Sequence, residues 1–86
     1  MEIIYSEKAL KDLESLDKKL QSFFIKHIEK LEKMPPRRRM KYGIPQCVEN
    51  VTRQARLVYE EGKDTLYIHH CFATHKEYEK WYRSFI

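Results

Sequence analysis

Two adjacent prolines, Pro35-Pro36, divide the chain into halves with different periodicities. Proline removes a backbone donor and restricts the residue before it, so a helix running up to this point ends here. Before the prolines, apolar residues recur every three or four positions. Ala9, Leu13, Leu16 and Leu20, then Phe24, Ile28 and Leu31, predict a helical hairpin over 6–16 and 18–33 with an apolar inner face. Ser6 and Asp17 are suited to cap its two N-termini. Phe23 and His27 sit on the shoulders of the second helix, and His27 reads as a boundary packing residue. After a loop over 35–45, the pattern changes. Segments 46–52, 54–60 and 65–72 are rich in Val, Leu, Ile, Tyr, Thr and Phe and read as strands. Glu61-Gly62-Lys63-Asp64 is the turn that makes the last two an antiparallel hairpin.

The ends complete the order. Glu2-Ile3-Ile4-Tyr5 is short and β-prone, a first strand. Thr74-His75-Lys76-Glu77 is a capping box, which opens a terminal helix carrying Tyr78, Trp81, Tyr82 and Phe85 at helical spacing. The expectation is one α+β domain over residues 1–86, ordered β-α-α-β-β-β-α. It has a small, largely antiparallel sheet with the hairpin on one face and a C-terminal helix. Alternation puts Ala55, Leu57 and Tyr59 on one face and Gln54, Arg56, Val58 and Glu60 on the other. In the last strand it groups Leu66, Ile68 and Phe72 against Thr65, Tyr67 and His69. Helices are expected to cover one sheet face and leave the other available.

Charge narrows the function. The net charge is +4, and residues 34–56 alone carry +5: Arg37, Arg38, Arg39, Lys41, Arg53 and Arg56 against Glu49. A local excess of this kind is the footprint of a nucleic-acid binder, or of a patch that docks an acidic protein. No apolar run approaches the roughly 18 residues of a membrane span. The N-terminus lacks a basic segment followed by a cleavage site, so a cytoplasmic location is expected. Cys47 and Cys71 fall on the outer strands of the three-strand meander, about 9.6 Å apart at two strand spacings. That exceeds the roughly 7 Å limit for a disulfide, so both are expected as free thiols.

Few residues carry chemistry. Arginine suits phosphate because its planar fork donates two parallel bonds and stays charged. The Arg37-Arg38-Arg39-x-Lys41 run can track a nucleic-acid backbone, or be a solvated charge run. Arg56, mid-strand, turns to the open face or pairs with Glu49 or Glu60. His75, at the first turn of the last helix, is suited to proton transfer, with exposure without a task as the alternative. Lys76 beside it, Arg53, and Tyr78 as a stacking ring complete an RNA-binding set, although an aromatic stripe also serves as core. His69 and His70 are adjacent, so they should face opposite sides and share no metal. No metal constellation, Gly-rich phosphate loop or Ser/His/Asp set is present, so no cofactor is expected. RNA permits metal-independent cleavage because its own 2′-hydroxyl attacks the adjacent phosphate. The protein then supplies geometry, positive charge and proton transfer.

The element order, the Arg56-Leu57-Val58-Tyr59 strand, the acidic-Gly hairpin and the Thr74-His75-x-x-Tyr78 ending together resemble the RelE/ParE superfamily of type II toxins. The resemblance covers nearly the whole chain, and its Thr-His ending is closer to the YafQ and HigB branches. It implies a ribosome-dependent endoribonuclease that cuts mRNA through 2′-hydroxyl attack and is held inactive by a cognate antitoxin. Arg56 matches the strand arginine that contacts the scissile phosphate, and His75 the C-terminal histidine that transfers a proton. The loop over 37–41 lies where relatives contact RNA, but it lacks the acid one branch uses as base. Glu49, Lys41 and His75 are left as candidate bases. A ParE-like gyrase inhibitor, or a non-catalytic binding module, is the alternative that the same fold implies.

Overall fold

The computed structural model describes residues 2–33 and 46–84. Strand β1 (Glu2–Tyr5) leads into helices α1 (Glu7–Ser15) and α2 (Lys18–Lys33). Strands β2 (Cys47–Asn50), β3 (Arg56–Glu61) and β4 (Thr65–Phe72) follow, then α3 (His75–Arg83). The order is the one expected. The sheet runs β1-β4-β3-β2. Its last three strands are antiparallel, and β1 joins the β4 edge in parallel, pairing Glu2 with Thr65 and Tyr5 with Ile68. The sheet is therefore mixed.

The caps act as the side chains predict. Ser6 Oγ accepts from the Ala9 N–H at 2.9 Å, Asp17 Oδ1 from Leu20 at 2.8 Å, and Thr74 Oγ1 from Glu77 at 3.2 Å. Gln21 ties the two helices by donating to the Leu13 carbonyl at 2.6 Å. The hairpin's inner face then meets the sheet. Ala9, Phe24, Ile28 and Leu31 form one core with Cys47, Leu57, Tyr59, Leu66, Ile68 and Cys71. Cys47 and Cys71 are buried on the strands flanking β3 and are not joined by a disulfide. Burial, with the charge of Asp12 second, pushes the Cys71 thiol up to about 12.

Three expectations are corrected. First, β2 and β3 are separated by a structured bend rather than by a tight link between longer strands. Val51 N–H donates to the Ala55 carbonyl at 3.0 Å, and Thr52 Oγ1 accepts from Ala55 N–H at 2.9 Å. These side-chain and cross-bend bonds satisfy backbone groups that a strand would have paired. Second, alternation fails in β4. Val58 pairs with His70 but Tyr59 with Ile68, so His69 is an extra, bulged residue. A bulge shifts the phase of everything beyond it. Cys71 thus joins the first core, while Phe72 turns to the opposite face. His69 and His70 lie on that same opposite face. His69 reaches Glu60, and His70 stacks on Phe72 at 5.0 Å and packs against Trp81 at 4.9 Å. Third, that face is not left open along its whole length. Tyr78, Trp81 and Tyr82 of α3 pack on Val48, Val58 and Phe72 as a second core.

Candidate functional site

One cross-strand row ends the sheet on the α3 face. Arg56 opens β3, in register with Asn50 on β2 and Phe72 on β4. Two residues after Phe72, Thr74 caps α3, and His75 is its first residue. The register therefore brings Arg56 and His75 to the same end of the sheet. Arg53, exposed in the 51–54 bend, and Lys76, exposed on the first turn of α3, flank the same end.

Arg56 is half-buried and pairs with neither Glu49 nor Glu60. Its Nη1 donates to the carbonyls of Thr52 at 3.2 Å, Arg53 at 3.1 Å and Ala55 at 3.0 Å. One nitrogen thus closes the bend that precedes the strand. The carboxylates are engaged elsewhere. Glu60 lies 3.3 Å from His69 Nε2. Glu49 is in register with Leu57, so it faces the helical hairpin, with His27 Nδ1 at 3.9 Å. Glu49 is therefore on the wrong face to serve as base beside Arg56. The contact also places His27 at the helix–sheet boundary.

His75 is partly exposed, with Nε2 2.6 Å from Glu79 Oε1. Tyr78 is a packing residue of the second core, 6.1 Å from Phe72 and stacked at 5.9 Å on Tyr82. Beneath α3, burial pushes the His70 imidazole below its ordinary pKa, against the opposing pull of Asp12. A cleft of about 470 Å³ opens between α1 and the β4–α3 turn, lined by Lys8, Asp12, Ser15, Phe72, Ala73 and Glu77 among others. It borders the row that holds Arg56 but includes neither Arg56 nor His75. Arg37, Arg38, Arg39 and Lys41 lie outside the described residues. Among the described residues, no group of three His, Cys, Asp or Glu side chains is placed to hold a metal, and no helix is long and apolar enough to cross a membrane.

Sequence reasoning missed three contributors. The carbonyls that receive Arg56 are backbone groups without a side-chain signature. The bulge breaks the alternation that would set the face of His70. Glu79 was readable, because a carboxylate four residues after a helical histidine is one turn away.

An α+β chain with this strand order, a helical hairpin on one sheet face and a terminal helix on the other has the fold of the RelE- and YoeB-type toxins. The isolated RelE toxin of E. coli superposes with a TM-score of 0.76 at 15% identity, covering 99% of this chain and 98% of that one. A YoeB/ParE toxin from Agrobacterium tumefaciens gives 0.71 at 17% identity over 84% of this chain and 96% of its own. A metal-bound toxin from Helicobacter pylori gives 0.68 at 24% identity over 90% and 97%. No protein-family model and no curated protein matches the chain.

Proposed function

We propose that the chain is the toxin of a type II toxin–antitoxin pair and cleaves mRNA on the ribosome. The observation that carries this reading is the pairing of Arg56 with Phe72, three residues before His75, in a RelE-like fold. A guanidinium and an imidazole at one end of a sheet suit a phosphodiester. Nη1 of Arg56 anchors the bend, and its outer edge is the side for phosphate. In the reaction the RNA 2′-oxygen loses its proton and bonds to phosphorus. The bond from phosphorus to the 5′-oxygen breaks, and that oxygen takes up a proton. Arg56 offsets the charge that builds on the phosphate. His75 moves one of the two protons.

Arg53, Lys76 and the basic run Arg37, Arg38, Arg39 and Lys41 would hold the RNA backbone, with Tyr78 as a stacking surface at the rim of α3. Solved structures of the same fold include toxin–antitoxin complexes, RelBE of E. coli and YoeB-YefM of Staphylococcus aureus. A cognate antitoxin is therefore the partner we assign to this chain, alongside the ribosome and mRNA in the cytoplasm. Expression should arrest growth, and Arg56→Ala with His75→Ala should relieve it. Purified translating ribosomes should show codon-positioned cuts that naked RNA does not. Intact mRNA on translating ribosomes would sink the reading. Supercoiling defects in its place would favour a gyrase inhibitor, since a YoeB/ParE toxin shares the fold.

A further inference from the structure

His75 opens α3, and Glu79 and Arg83 follow at intervals of one helical turn. His75 Nε2 lies 2.6 Å from Glu79 Oε1, and Arg83 Nη2 donates to Glu79 Oε2 at 3.0 Å. The three side chains form a line along the helix, with the carboxylate held at both oxygens. His75 Nδ1 is shielded from solvent and has no hydrogen-bond partner among the described residues. An imidazole exchanges protons only through its two nitrogens. Here one faces a carboxylate and the other is closed off.

We propose that Glu79 is a positioning residue that parks His75 until RNA arrives. The proposal rests on His75 being the group that moves the proton. To reach a substrate, Nε2 has to leave Glu79, so the Glu79 contact sets how much His75 is available. A phosphate drives the exchange, because it attracts the imidazole and repels the carboxylate. Arg83 keeps the carboxylate in place when the ring leaves. The contact is a weak brake, since the two side chains are 44% and 40% exposed and solvent screens them.

Single-turnover cleavage of ribosome-bound mRNA tests the brake in the full chain. Glu79→Ala should cut about two- to fivefold faster than the parent, the range an exposed pair allows. The gain should vanish in the Glu79→Ala/His75→Ala double variant. Glu79→Gln retains an acceptor for the Nε2 proton but no charge, so its rate should fall between the two. A Glu79→Ala rate equal to or below that of a parent whose cleavage depends on His75 overturns the proposal. Nitrogen-15 NMR reads the same contact without RNA. In the parent, His75 should keep its proton on Nε2, and in Glu79→Ala the proton should distribute over both nitrogens. Identical tautomer populations overturn the parking role, whether or not the chain is a nuclease. A parent that leaves mRNA intact defeats the nuclease reading, and the spectra then decide the contact alone.

Discussion

Arg56 commits one guanidinium nitrogen to three backbone carbonyls, and that division of labour makes it irreplaceable by lysine. Nη1 closes the 51–55 bend. Nε and Nη2 form the other edge of the fork, the pair that binds two phosphate oxygens in parallel. An ammonium is a point charge and cannot serve both. In the proposed reaction Arg56→Lys should therefore lose most of the cleavage rate, about 100-fold, the cost of removing one donor from a developing oxyanion. It should also lower stability by about 1 kcal/mol through the loosened bend, read from the urea midpoint. A lysine variant with the parent's rate would show that phosphate binds elsewhere. His70 gives a second prediction at this scale. Burial lowers its imidazole pKa from the ordinary value of 6.5. As pH falls, the unfolded chain binds that proton first. His70's contribution is complete above about 6.5 and declines as pH drops through the folded value. The urea midpoint should fall between about pH 7.5 and about pH 5.5, and His70→Phe should shrink that fall. An undiminished fall in the variant would assign it to other groups.

At the scale of elements, the edge of β4 beyond β1 explains how α1 is attached. β1 ends opposite Ile68, so among the described residues no strand pairs the edge of β4 beyond it. The N-cap of α1 and its Asp12 supply the bonds instead. Ser6 N–H donates to the Ile68 carbonyl at 2.9 Å, and the Ser6 hydroxyl donates to the His69 carbonyl at 2.9 Å. Asp12 Oδ2 accepts from Cys71 N–H at 3.0 Å, while Lys8 holds Oδ1 at 3.0 Å. Asp12→Ala should thus strand a part-buried N–H and cost about 1–3 kcal/mol by urea unfolding. Asp12→Asn retains an acceptor and should recover most of it; equal losses in both would show that charge, not the hydrogen bond, matters. Much of this was legible beforehand. The capping residues Ser6, Asp17 and Thr74 and the apolar period from Ala9 to Leu31 define the helices by local chemistry alone. The bulge at His69 was not legible, because nothing in Ile68-His69-His70-Cys71 distinguishes a broken alternation from a continued one. Past His69 a continued alternation gives the wrong face, for Phe72 above all.

For the whole molecule, the two sheet faces are covered to different depths, and the proposed site belongs to the thinner side. The hairpin side holds the larger core. On the other side α3 contributes no fully buried side chain over His75–Arg83; Tyr78, Trp81 and Tyr82 are each half-buried. That helix was expected as part of the α+β plan. Its cover over Val48, Val58 and Phe72 was not, because sequence alone leaves open whether an aromatic stripe meets core or ligand. The same ambiguity covers Tyr78, whereas the face of Arg56 was readable because alternation holds as far as Tyr59. By contrast, Leu57, Val58 and Tyr59 of β3 are at most 1% exposed, covered from both sides. Opening α3 exposes less apolar area than opening β3, so it should need less free energy. Native-state amide exchange should therefore be faster along α3 than along β3 and β4. Trp81→Ala should speed exchange in α3 further while leaving β3 protection nearly unchanged. In the proposed reaction it should also slow mRNA cleavage, because the helix that carries His75 is held less firmly. Equal protection in α3 and β3 would mean that the helix opens only when the whole domain unfolds, and the cleavage rate of Trp81→Ala should then follow global stability alone.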